Sequence, residues 1–183
     1  MKTIVIYTSQ TGFTKRYAEW IAERMNADIL DLKEAKKKPD SFFGGYDAIV
    51  YGGWCMAGKV AKSTWFLGKA PGWKGKKLAV FAVGCSPDGT PEVAESLKQL
   101  LTDEQRQYIK AFYCQGGINY ERMSFPYRMA MKMFANSLKN KKNATAKDKE
   151  MGEFIAQNHD LADIRFIEPI IAYLEHKKIP ASE

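Results

Sequence analysis

Four short, largely apolar runs recur along the chain: Ile4 to Tyr7, Ala48 to Tyr51, Leu78 to Val83 and Ile109 to Cys114. Each is too short for a buried helix, and their Val, Ile, Phe and Tyr content favours strands covered on both faces. The first reads as a strand over Lys2 to Tyr7, and Asp28 to Leu32 supplies a fifth short strand. Between the strands lie helical patterns. Tyr17, Trp20, Ile21 and Met25 fall on one helical face over Phe13 to Met25, with Asn26 as the stop. Lys33 to Lys38 is a charged connection closed by Pro39, and Ala61 to Leu67 and Glu92 to Leu101 are further helices. This alternation predicts an α/β fold, a doubly wound five-stranded parallel sheet with helices on both faces and right-handed crossovers. A chain of 183 residues with 45% hydrophobic content suits one such domain over residues 1–183.

The pattern changes after the fifth strand. Met123 to Leu138 is rich in Met and aromatic residues, and the closing helix is expected only at Ile167 to Lys177. Tyr127, Met131, Phe134 and Leu138 follow at steps of four, three and four, which predicts one shared helical face. From Arg122 to Lys142 there are six bases (Arg122, Arg128, Lys132, Lys139, Lys141, Lys142) and no acid, so this segment carries most of the net charge of +7. A basic amphipathic insertion around residues 120–143 suits a membrane-surface element, a partner-docking helix or a core-packed helix. The charge is local and no nucleic-acid motif accompanies it, so no nucleic-acid partner is expected.

Three cysteines, Cys55, Cys85 and Cys114, are widely spaced and form no C-x-x-C pair, which argues against a disulfide framework or a zinc site. They fall at the ends of strands and read as small buried apolar residues. The longest charge-free stretch, Thr3 to Thr14, is too short to span a bilayer, and no secretory pattern follows the first apolar run. A cytoplasmic chain is expected, with peripheral contact at the inner face of the membrane as an option through residues 122–142. His159 and His176 lie near the C-terminus and receive no role.

The chemistry begins where the first strand ends. Ser9-Gln10-Thr11-Gly12-Phe13-Thr14 places three hydroxyls and a glycine at the start of a helix, at the carboxyl edge of the sheet. Unsatisfied N–H groups at a helix start carry partial positive charge, so the residues suit a phosphate, or else a plain Ser/Thr cap. Neither G-x-G-x-x-G after a strand nor G-x-x-x-x-G-K-[ST] is present.

Ser9-x-Thr11-Gly12-x-Thr14 directly after an N-terminal strand resembles the phosphate loop of the flavodoxin family, which implies FMN as cofactor. That resemblance also implies that two later loops clasp the flavin ring. The chain offers Gly52-Gly53-Trp54-Cys55-Met56-Ala57-Gly58 after the third strand and Gly84-Cys85-Ser86-Pro87-Asp88-Gly89 after the fourth. The residues expected at the cofactor are therefore Ser9, Gln10, Thr11, Gly12, Phe13, Thr14, Gly53, Trp54, Cys55, Met56, Ala57, Gly84, Cys85, Ser86, Asp88 and Gly89. Trp54 is the stacking candidate. The second loop departs from the family pattern in lacking an aromatic, which leaves one ring face open or covered by something else. The small residues Gly52, Gly53, Ala57 and Gly58 would let a peptide carbonyl turn toward the flavin, as the resemblance implies, or simply form a tight turn.

Over most of its length the chain is also similar to the flavodoxin-like group that includes bacterial menaquinone-dependent protoporphyrinogen oxidase. That group carries a basic, aromatic, Met-containing segment late in the fold, like Gly117 to Lys142 here. Three functions fit these residues. One is a flavoenzyme that oxidises an organic substrate such as a porphyrinogen and passes electrons to a quinone. The second is an electron carrier between redox partner proteins. The third is a flavin-free binding or regulatory module that keeps only the fold. No catalytic side chain and no metal-ligand cluster stand out.

Overall fold

The structure, a computed structural model, describes residues 1–56 and 58–175. The elements run β1 (Thr3–Thr8), α1 (Phe13–Met25), β2 (Asp28–Asp31), α2 (Leu32–Ala35), α3 (Asp40–Gly44), β3 (Ala48–Met56), β4 (Lys59–Val60) and α4 (Ser63–Lys69). They continue with β5 (Lys77–Gly84), α5 (Pro91–Leu100), α6 (Asp103–Arg106), β6 (Ile109–Gln115), β7 (Gly117–Ile118), α7 (Phe125–Asn140), α8 (Ala146–Ile155), β8 (His159–Asp160) and α9 (Glu168–Leu174).

Five parallel strands are ordered β2-β1-β3-β5-β6, with the short β4 added antiparallel to β3. The continuous apolar runs have a direct cause. Ile4 and Ile6, Ile49 and Tyr51, and Leu78 and Val80 face one layer, where Phe43, Phe66 and Trp73 cover them. Val5, Ala48, Val50, Ala79, Phe81 and Val83 face the other, under Tyr17 and Ile21 of α1 and Ile170, Ile171 and Leu174 of α9. Both faces are dry over the central strands β1, β3 and β5, which show no polar alternation, whereas the edge strands β2 and β6 are partly exposed. The chain leaves β1 for one side of the sheet and returns to β3 on the other. Their carboxyl ends therefore diverge at a switch point, where open α/β sheets bind ligands.

Several features differ from the sequence expectation, among them α2, which takes Leu32 from the expected second strand and begins the expected charged connection as a helix. Strand β3 runs beyond Tyr51 to Met56, because Cys55 and Met56 pair with Val60 and Lys59 in a hairpin. The basic segment forms α7 and is followed by a second helix, α8, which the sequence pattern had not shown. This helical hairpin is held at its base where Gly117 and Ile118 of β7 pair with Asp160 and His159 of β8. A small core of its own, Ile118, Met123, Ala135 and Ile155, fills it.

Phe134 is a correction. It was expected on the packed face with Tyr127, Met131 and Leu138, yet it is 51% exposed, and the buried Ala135 takes its place. The reason is α8, which crosses so closely that a Cβ at Gly152 would lie 2.8 Å from the Ala135 carbonyl oxygen. Only a small side chain fits at that crossing. The closing helix is α9, entered through a 3₁₀ turn over Ile164–Ile167; His176 and the rest of the stretch expected to reach Lys177 lie outside the described residues.

Candidate functional site

At the switch point the β1–α1 loop turns sharply. Gly12 has φ of 102°, a left-handed conformation that a side chain would strain. Its N–H donates to Ser9 Oγ at 3.2 Å, which ties the loop into a ring. Thr14 follows in the first turn of α1 and is only 1% exposed. Its Oγ1 is buried and finds no hydrogen-bond partner among the described residues. Such an orphan hydroxyl is costly unless a ligand completes it. Together with the open N–H groups of the helix start, it makes a cradle for an anion.

Arg122 adds the charge. A Cβ at Gly12 would lie 3.0 Å from Arg122 Nη1, so the guanidinium rests over the loop. Its backbone N–H is fixed by Asn119 Oδ1 at 3.1 Å. Two other bases near the loop are already engaged: Arg16 pairs with Asp160 at 2.9 Å and Lys15 with Glu19 at 3.5 Å. Arg122 makes no ion pair with any described residue. Sequence reasoning saw Arg122 only as the first base of a run, because its approach to Gly12 is purely tertiary.

Beside the cradle is a cavity of about 80 Å³, lined by Gln10, Thr11, Phe13, Thr14, Trp54, Cys55, Met56, Gly84 and Cys85 from the expected set. The insertion supplies Ile118, Met123, Tyr127 and Met131 to the same wall. The ring of Trp54 meets that of Tyr127 edge to face at 5.1 Å. Helix α7 thus brings Tyr127 and Met131 to the cavity that Gly84 and Cys85 of the second loop also line, a contribution that no local motif announces.

The remaining expected residues sit outside this lining. Ser9 and Gly12 shape the loop, and Gly53 packs against Val60. Ser86 offers its carbonyl to Tyr113 Oη at 2.7 Å, and the Asp88 carboxylate accepts from Gly89 N at 2.9 Å in an exposed turn. Ala57 lies outside the described residues. Gly52 has a packing role: a Cβ there would come within 2.1 Å of the Phe81 ring. Burial pushes the thiols of Cys55 and Cys85 upward, which keeps them protonated and uncharged beside the cavity at neutral pH. Cys114 is buried away from it, against the Phe166 carbonyl.

The phosphate end of FMN fits these residues: an orphan hydroxyl, a glycine turn and a free guanidinium converge on one helix start. The ring end does not fit the cavity as it stands, about 80 Å³, because pockets for organic ligands run to roughly 300 Å³ or more. Among the described residues no group of His, Cys, Asp or Glu is placed to hold a metal ion.

Fold and site together define an open, doubly wound α/β protein with an anion cradle at its switch point. A flavodoxin domain model matches residues 4–145, and the chain belongs to that family. Solved structures similar to it include a flavodoxin, WrbA-like protein from Agrobacterium tumefaciens, at 20% identity over 68% of this chain and 86% of that one, with a TM-score of 0.47. A flavoprotein from Lactobacillus acidophilus, solved in complex with FMN, is 17% identical over 62% of this chain and 91% of that one, with a TM-score of 0.44. The two-electron reduced flavodoxin of Megasphaera elsdenii is 18% identical over 84% and 98%, with a TM-score of 0.45. No curated protein matches the chain.

Proposed function

We propose that this protein binds FMN and acts as a redox protein, with the phosphate in the Ser9–Thr14 loop and the ring between the β3 and β5 loops under α7. The observation that carries this is the buried, unpartnered Thr14 Oγ1 at the start of α1. Bound FMN supplies one- and two-electron transfer. The chain's own residues bind and orient it. The Thr14 hydroxyl donates to the phosphate, the α1 N–H groups and Arg122 balance its charge, and Trp54 packs against the ring. Tyr127 and Met131 exclude water from the side that β5 leaves uncovered.

That cover favours one mode of action. An electron carrier works best with an exposed ring edge, whereas a helix laid over the cavity suits an oxidoreductase acting on a small organic molecule. A porphyrinogen-type substrate and a quinone acceptor are the candidates that the sequence resemblance suggests.

The cofactor is tested by purifying the protein, recording its visible spectrum and titrating the flavin-free form with FMN and riboflavin. Yellow protein with FMN bound far more tightly than riboflavin is expected. A colourless protein that takes up neither flavin would sink the proposal in favour of the flavin-free module. Anaerobic mixing with porphyrinogen, quinone or ferredoxin then separates the modes: flavin bleaching or recovery with small molecules is expected, and exchange with ferredoxin alone would make it a carrier.

A further inference from the structure

Helix α7 has two working faces. The inner one, with Tyr127, Met131, Ala135 and Leu138, packs on the cavity wall and on α8. The outer one is apolar too. Phe125, Met129 and Met133 stand at successive steps of four and are 73%, 44% and 66% exposed. They form a row about 12 Å long, at 1.5 Å of rise per residue. Large apolar side chains exposed in a row along one helix face mark an interaction surface.

Within the segment from Arg122 to Lys142 that carries this row the charges have one sign. Arg122, Lys132, Lys141 and Lys142 are exposed, and no acid lies anywhere from Arg122 to Lys142. Glu121 precedes the segment and is exposed beside it. Arg128 is committed inward, its guanidinium donating to the Met123 carbonyl at 3.2 Å. The acids of α8, Asp148, Glu150 and Glu153, belong to the helix that crosses α7 on the Ala135, Leu138 and Lys139 side. That side lies opposite Met129 and Met133 on the helix. The outer face therefore combines protruding apolar chains with a basic surround.

We propose that this face docks onto an anionic lipid bilayer, with Phe125, Met129 and Met133 entering the headgroup boundary and Lys132, Lys141 and Lys142 pairing with lipid phosphates. A helix with an apolar row and basic flanks lies in the plane of such a surface. A second copy of the chain is a poorer occupant, because self-pairing of this face would set base against base with only Glu121 nearby to offset them. The convex row of flexible Met and Phe chains also suits a yielding apolar medium better than a shaped protein groove. Docking by the outer face would hold the cavity, which the inner face of the same helix lines, within about one helix diameter, roughly 10–12 Å, of the membrane. The proposal does not depend on flavin binding.

The test is flotation of the full-length protein with vesicles of phosphatidylglycerol and phosphatidylcholine, against vesicles of phosphatidylcholine alone. Two variants are compared, F125S/M129S/M133S and K132E/K141E/K142E, with thermal melts to confirm folding. Binding to the anionic vesicles only is expected, falling by about tenfold or more in each variant and with added salt. Flotation absent from the parent protein, or unchanged in both variants, overturns the proposal. So does a concentration-dependent dimer in sedimentation velocity that F125S/M129S/M133S dissolves, since a second copy would then own the face. Capture by acidic proteins without vesicle binding overturns it as well.

Discussion

Thr14 sits where its hydroxyl works against the flavin-free protein. A buried hydroxyl without a partner destabilises a fold by about 1–3 kcal/mol, and valine has the same shape without the polar atom. Thr14→Val is therefore expected to raise the melting temperature of the flavin-free protein by a few degrees, about 2–4 °C per kcal/mol for a chain of this size. The same change weakens FMN by about tenfold or more, since a hydrogen bond to a charged group is lost, and leaves riboflavin affinity as it was. Calorimetry and fluorescence titration read the two effects, and equal losses for both flavins would remove the phosphate role. Arg122→Gln separates charge from shape. Because Arg122 is exposed, its interaction is screened, and a loss of about tenfold or less in FMN affinity is expected, together with a flatter dependence on salt. If the variant keeps the parent's salt dependence, the guanidinium does not serve the phosphate. Thr14 was legible in the sequence as part of a local motif. Arg122 was not, because only the folded chain brings the start of the α7 segment over Gly12.

At the scale of elements, the proposed flavin binding requires the small cavity between β3, β5 and α7 to widen. Trp54 and Tyr127 both line the cavity and meet edge to face, and an aromatic pair of this kind is worth about 0.5–1.5 kcal/mol beyond its buried area. Tyr127→Ala should populate the open form and speed FMN association roughly two- to tenfold, as read by stopped-flow quenching. An unchanged rate would mean that the ring enters by another route. The central strands could be read in advance because burial on both faces makes them continuously apolar, and α1 because it buries one helical face. The overrun of β3 to Met56 was hidden by Gly52 and Gly53, which look like a turn. Gly52 is needed because the Phe81 ring occupies the space of its side chain. Helix α8 was hidden for the opposite reason: Ala146–Ile155 is half charged and buries only Gly152 and Ile155, too little to mark a period. Phe134 misled because its spacing fitted the inner face, whereas the close crossing at Gly152 admits only Ala135.

Across the whole molecule, the two layers of the core share a dependence on neutral phenols and thiols. Tyr17 donates to the Gln115 carbonyl and accepts from the Asp163 N–H, joining α1 to β6 and to the approach of α9. On the other layer Tyr51 donates to the Ala61 carbonyl and anchors the β3–β4 hairpin. Tyr46 donates to Asp28, and burial followed by that carboxylate pushes its phenol up to about 12. Burial alone is the leading cause that raises Tyr17, Tyr51, Tyr113 and the Cys114 thiol. In the unfolded chain these groups lose protons near their ordinary values, about 8.5 for a thiol and 10 for a phenol. Above those values the folded protein holds more protons than the unfolded one, so stability falls as pH rises. The contribution is complete below about pH 8 and is lost through the alkaline range toward the raised folded-state values. The melting temperature should therefore drop steeply above about pH 9, in both layers at once because they share one sheet. Tyr51→Phe removes one such group and its bond to Ala61. It should lower stability at neutral pH by about 1 kcal/mol and make the alkaline decline shallower. A melt series across pH for parent and variant checks both, and parallel curves above pH 9 would show that the Tyr51 phenol is not among the groups responsible.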